Sequence, residues 1–109
     1  SNLDGLSQDL EVKLSDHPQL ATVDSPVMID AGLTHPIAVT RLDAETFEVT
    51  GTECSHEHCG VQRNGDGWAC PCHGARFALD GARRSGPAPV GLTSYDWMLD
   101  GDVLTILAP

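Results

Sequence analysis

"CSHEHCG", residues 54–60, places two cysteines and two histidines within six positions. Sixteen residues after its start comes "CPCHG", residues 70–74, with two more cysteines and another histidine. These stretches hold all four cysteines of the 109-residue chain. Thiols and imidazoles at such spacing serve as metal ligands, as bridge partners, or as both. The fold has to bring the two stretches together.

Outward from them the pattern is β throughout. "VQRNGDGWAC" (61–70) carries turn residues at its centre and reads as a hairpin leading into the second stretch. "PIAVTRL" (36–42) and "TFEVTG" (46–51), rich in β-branched residues, form a second hairpin around "DAE" and lead into the first stretch. "ARFALDG" alternates as a short strand, and "TSYDWMLDGDVLTILA" reads as two strands joined at "DGD". "LEVKL" and "PVMID" are weaker strands near the start. "SGPAPVG" (85–91) is expected to be a stiff connecting loop, because Pro87 and Pro89 lack an amide donor. No segment has helical periodicity. Trp68, Trp97, Phe47 and Tyr95 fall at β spacing and are expected in the core or on a sheet face.

The length suits one domain, residues 1–109. No apolar run is long enough to span a membrane. The chain opens on "SNL", without methionine, as a trimmed chain does, so the lack of a leader carries no weight. A formal charge of −10 argues against nucleic acid as a partner. The acidity is uneven. Residues 54–90 hold three acids and four bases, and the rest of the chain holds thirteen acids and two bases. Arg76, Arg83 and Arg84 are read as solvated charge that also suits an acidic redox partner.

Zinc alone accounts poorly for the two stretches. Cys54, His56, Cys70 and His73 make a Cys2His2 set, but zinc fingers pair like ligands at short spacing, and Cys59 and Cys72 are left over. Two disulfides alone leave His56 and His73 unexplained.

The two boxes resemble those of Rieske iron–sulfur proteins, which bind a [2Fe–2S] cluster through two cysteines on one iron and two histidines on the other. Cys54 and His56 match C-x-H, and Cys70 and His73 match C-x-x-H. Cys59 and Cys72 match the extra pair of the quinol-oxidising, cytochrome bc-type branch, where they form a disulfide between the loops. "GPAP" (86–89) resembles that branch's proline loop. The likeness runs over roughly residues 36–107.

That resemblance implies an all-β Rieske-type antiparallel β-sandwich base with an inserted cluster-binding subdomain, about residues 52–90. It implies a [2Fe–2S] cofactor, with Gly60, Gly74, Ala75, Phe77 and Pro87 around it. Pro71 is expected to turn Cys70 and Cys72 opposite ways, one to iron and one to the facing loop. The implied function is one-electron transfer, as an exported carrier or as the redox domain of a larger complex. The partner is then a cytochrome, an oxidoreductase or quinol. A quinol-oxidising subunit is one alternative, and a zinc-binding structural module is another. The cytosolic oxygenase-type ferredoxins are a third, which Cys59 and Cys72 argue against. The bridge implies an oxidising location, periplasmic or on the outer face of a bacterial membrane.

Four positions depart from the quinol-oxidising pattern. His58 replaces a usual glycine, and Glu57 an apolar tip residue. Ala75 and Phe77 stand where a serine and a tyrosine donate hydroxyls to sulfur. His17 and His35 read as ordinary surface residues.

Overall fold

A computed structural model describes residue 6 and residues 8–54, 59–72, 74–86 and 91–108. Among these the strands are β1 (Leu10–Lys13), β2 (Val27–Ile29), β3 (Ile37–Arg41), β4 (Phe47–Gly51), β5 (Gln62–Asn64), β6 (Gly67–Ala69), β7 (Arg76–Ala78), β8 (Arg83–Ser85), β9 (Trp97–Asp100) and β10 (Val103–Ile106). The described residues include no α-helix, only two short 3-10 turns, Leu14–Asp16 and Pro18–Ala21. Pro18 opens the second turn, where its fixed φ suits a helical start and its missing amide costs nothing.

The strands form three antiparallel sheets: β1-β10-β9, β2-β3-β4 and β5-β6-β7-β8. Turn chemistry sets the registers. Gly65 (φ 59) opens the two-residue turn between β5 and β6, and Gly101 (φ 58) does the same between β9 and β10. Gly67 is held to glycine by its neighbour, since a Cβ there would run into the Phe77 carbonyl oxygen of β7.

Alternation along the first two sheets builds one core. Val12, Leu104 and Ile106 from one sheet meet Ile29, Ile37, Val39, Phe47 and Val49 from the other, all buried. Phe47 also meets the Trp97 ring edge-on at 5.6 Å. The Arg41 guanidinium lies 4.7 Å from the Phe47 ring centroid and donates to the Leu20 carbonyl at 2.5 Å. A second core lies under the third sheet and comprises Ala38, Cys54, Val61, Trp68, Cys70, Ala75, Phe77 and Leu92. β3 serves both. Ile37 and Val39 face the first core, and Ala38 between them belongs to the second.

After β4 the chain leaves for the cysteine stretches and comes back beside its point of departure. Thr50 bridges Ser94, the Gly51 amide donates to Thr93, and the Tyr95 amide donates to Val49. The cysteine-bearing region is thus inserted at one strand junction. The Thr52 hydroxyl secures it by donating to the Pro36 carbonyl at 2.6 Å.

The two hairpins, the paired strands at the end and both weak N-terminal strands lie where the sequence pattern puts them. β8 differs. Ser85, read as loop, is the last residue of a strand pairing with Arg76 across a register shift in β7. Its three side chains are all exposed, so no alternation marks it.

Candidate metal centre

The two cysteine stretches close in the same way. In the first, the Cys54 amide donates to the Cys59 carbonyl at 2.7 Å. In the second, the Cys70 amide donates to the Ala75 carbonyl, also at 2.7 Å. Each loop is thus tied at its root by a cysteine whose amide reaches the carbonyl five residues on. Below the first root, Glu53 bridges Gly60, and the Val61 amide donates to Thr52. Above the second, the Gly74 amide donates back to the Cys70 carbonyl at 2.9 Å, a tight turn for which Gly74 takes φ 78.

A disulfide between Cys59 and Cys72 joins the loops, with their Cα atoms 6.5 Å apart. Cys54 and Cys70 lie outside the disulfide, and both are buried. Each loop therefore contributes one bridged cysteine and one unbridged one. The unbridged pair sits in an apolar wall with Val61, Trp68, Ala75, Phe77 and Leu92. Ala75 and Phe77 are wholly buried in that wall.

A third segment closes against the second loop. Gly86 takes φ 96, and a Cβ placed on it would lie 2.5 Å from the Ala75 Cα. Arg83 Nη2 donates to the Gly86 carbonyl at 2.6 Å and holds this approach. On the outer side, Arg84 Nη1 pairs with Asp66 Oδ1 at 2.8 Å, tying β8 to the turn between β5 and β6. The hydrogen bond from Arg84, reinforced by its charge, holds the Asp66 carboxyl below its ordinary range. Arg63 lies over the Trp68 ring, 5.9 Å from its centroid.

Of the residues that the sequence marks, Cys54, Cys70, Ala75 and Phe77 come together, and Cys59 and Cys72 form the bridge. His56, His73 and Pro87, with Glu57 and His58, lie outside the described residues. Cys72 meets the facing loop as expected, through its bond to Cys59, but its sulfur is not set apart from that of Cys70. The sulfurs of Cys59, Cys70 and Cys72 all lie within 4.8 Å of one another. Residues two apart share a face of an extended chain, and what separates this pair is depth, Cys70 buried and Cys72 exposed.

His35 is not an ordinary surface residue. Its half-buried ring covers Gly60, where a Cβ would stand 3.1 Å from His35 Nδ1. Gly60 gives this contact its room across the root of the first loop. The local sequence offers no sign of it beyond the adjacent Pro36, whose carbonyl receives Thr52.

The donor chemistry fits a mixed centre on its thiolate side. Two cysteines are spent in the bridge and two buried thiols are left, one per loop, walled by apolar side chains that exclude water.

Comparison with known proteins gives the same answer over most of the chain. The family described as "Rieske [2Fe-2S] domain" matches residues 10–96. The mitochondrial Rieske subunit of the cytochrome b-c1 complex from Solanum tuberosum is 34% identical over 101 residues, covering 88% of this chain and 35% of the relative. The chain spans between a quarter and about a third of the length of such relatives, 25–35%. Among solved structures, the cyanobacterial plasma membrane Rieske protein PetC3 from Synechocystis PCC 6803 superposes with a TM-score of 0.69, at 22% identity over 92% of this chain and 98% of that one. The ferredoxin of carbazole 1,9a-dioxygenase from Nocardioides aromaticivorans IC177 superposes with a TM-score of 0.62, at 21% identity over 97% of this chain and 99% of that one. At these identities the structural likeness shows the fold and leaves the branch of the family open.

Proposed function

The chain belongs to the Rieske [2Fe–2S] domain family, and from that premise we propose that it is a one-electron carrier whose cluster is held by Cys54, Cys70, His56 and His73. Such a cluster accepts and returns a single electron at a potential above that of four-cysteine ferredoxins, because two of its ligands are neutral imidazoles. The observation that carries this reading is the division of the cysteines. One from each loop is bridged, and one from each loop is buried and outside any disulfide. Cys54 and Cys70 then supply the two anionic ligands. The apolar wall keeps water from them, and the Cys59–Cys72 bridge clamps their loops. Residues 52–90 act as the cluster-binding subdomain on a base built from the rest.

The electron partner is a redox protein, either a cytochrome or an oxidoreductase, and no substrate conversion is assigned to this chain alone. The bridge supports an extracytoplasmic location, periplasmic or on an outer membrane face, since cytosolic thiols are kept reduced. A second reading, a quinol-oxidising subunit, is favoured by relatives named as Rieske subunits of cytochrome b-c1 complexes. In that case His73 takes the quinol proton. Ala75 and Phe77, which lack hydroxyls, set this chain apart from the quinol-oxidising pattern.

The purified protein is expected to be red-brown, with iron and acid-labile sulfide, and to give a Rieske-type EPR signal on reduction. Cys54→Ala, His56→Ala, Cys70→Ala and His73→Ala should each abolish that signal. A normal signal in any of them would overturn the ligand assignment, and a colourless protein containing zinc would establish the structural alternative.

A further inference from the structure

The closeness of three sulfurs, one of them a free thiol, has a chemical consequence. Cys70 Sγ lies within 4.8 Å of both sulfurs of the Cys59–Cys72 bond. A thiolate attacks a disulfide at one sulfur and expels the other, so a buried thiol held this close is positioned as an internal nucleophile. We propose that the chain without its cluster undergoes an internal thiol–disulfide exchange, in which Cys70 displaces Cys72 from Cys59. The inference rests on the assignment of Cys70 as a cluster ligand, since a bound metal occupies its sulfur.

The step balances within the chain. Cys70 gives up its proton to water and attacks Cys59 Sγ. The Cys59–Cys70 bond forms as the Cys59–Cys72 bond breaks, and the Cys72 thiolate takes up a proton. One disulfide and one thiol stand on each side, so no outside oxidant or reductant is needed.

Three features select Cys59 as the sulfur attacked. Expulsion of Cys72 releases an exposed thiolate into water, whereas Cys59 is half-buried against the apolar wall. The new bond still joins the two loops, and the ring it closes is only two residues shorter than that of the original bond, which has a separation of 13, so the loop entropy barely changes. Attack on Cys72 would instead close a bridge across Pro71 alone, whose fixed φ stiffens that short span.

The exchange couples the bridge to the cluster. An exchanged chain has lost one ligand thiol and carries a reactive one at its surface, so it accepts no cluster until the step reverses. Binding of the cluster withdraws the nucleophile and favours the Cys59–Cys72 pairing by mass action. The bridge is thus locked by the cofactor as well as clamping it.

The test follows disulfide pairing directly. Loaded protein is freed of iron with a chelator under anaerobic conditions without added reductant, and the sulfide released from the cluster is removed at once by gel filtration, because sulfide itself attacks disulfides. Samples are quenched in acid over time, labelled with N-ethylmaleimide in denaturant, digested unreduced and mapped by mass spectrometry. A Cys59–Cys70 peptide should accumulate together with labelled Cys72, whose labelling should exceed that of loaded protein at least about tenfold. Cys70→Ser, which loses a ligand and is isolated without cluster, should hold only Cys59–Cys72, and Cys54→Ser, likewise isolated without cluster, should already carry the Cys59–Cys70 pairing. A cluster-free chain that keeps only Cys59–Cys72, with Cys70 labelled, overturns the proposal. So does a mixture in which Cys54 enters bridges as often as Cys70, since that is the scrambling of an unfolded chain. Iron content and colour of the starting protein are read separately, so a failed cluster assignment and a failed exchange give different results.

Discussion

Gly86 and Gly74 both adopt left-handed backbone angles, φ 96 and φ 78, but for different reasons. At Gly74 a Cβ would meet open space, so Gly74→Ala should lose only the backbone term, about 1–2 kcal/mol. At Gly86 a Cβ would collide with the Ala75 backbone, so Gly86→Ala should add a steric cost of about 1–3 kcal/mol to that term. Urea unfolding of the two variants checks the ranking, and equal losses would mean that the third segment does not press on the second loop. The wall beside Cys54 and Cys70 offers another test. Ala75 and Phe77 are buried there without a hydroxyl between them. A donor to cluster sulfur stabilises the more negative reduced state, and a differential of about 1 kcal/mol is some 40 mV for one electron, given about 59 mV per tenfold change. Rieske centres span roughly −150 to +300 mV, and this one is expected at roughly 0 to +200 mV. Ala75→Ser and Phe77→Tyr should each raise the potential, and the double variant should exceed both. Protein-film voltammetry showing no upward shift in any of the three would mean that these side chains do not face the cluster.

Elements that advertise themselves by turn chemistry or alternation were legible in the sequence, and those held by a neighbour were not. "RNGDG" and "DGD" mark their hairpins because a glycine at positive φ is what a two-residue turn needs. β8 carries "RRS", all exposed, and exists because β7 offers it hydrogen-bonding groups. The resemblance of the two boxes to the Rieske pattern implied the cysteine pairing, and the structure forms it. The root closure of each loop is a local backbone bond that no side-chain pattern marks, and the His35 ring over Gly60 joins segments far apart in sequence. The bridge is the element-scale device that sets loop against loop, across a separation of 13 residues. By the chain-entropy account its removal should cost about 3 kcal/mol. Cys59→Ala/Cys72→Ala is the clean variant, because Cys72→Ala alone leaves Cys59 beside Cys70. The denaturant midpoint of the cluster-free double variant, set against the cluster-free parent, measures the loss. An unchanged midpoint would mean that the hydrogen-bonded roots alone hold the loops.

The described residues form two cores joined at β3, and the charge of the chain divides along nearly the same line. Outside residues 54–90 there are thirteen acids against two bases, Lys13 and Arg41. Glu48 on β4 has its pKa raised above the ordinary value, first by burial and then by the charge of Asp80 from the cysteine-bearing region. A carboxyl raised in the folded state disfavours folding wherever it is ionised. Its stabilising contribution is full below the unfolded pKa and is lost as pH rises through the folded one. The same sign applies to the scaffold as a whole, where crowded carboxylates repel one another at neutral pH and are relieved as they gain protons. Added salt gives the same relief without protons, by shortening the screening length from about 30 Å at ~10 mM to about 8 Å at ~150 mM. The thermal midpoint of the loaded protein should therefore rise over that salt range at neutral pH. The rise should shrink toward pH 4.5, the sequence pI, where the net repulsion vanishes. Scanning calorimetry at both pH values separates this from a general salting effect. A salt shift of equal size at the two would mean that self-repulsion of the acidic base contributes nothing to its stability.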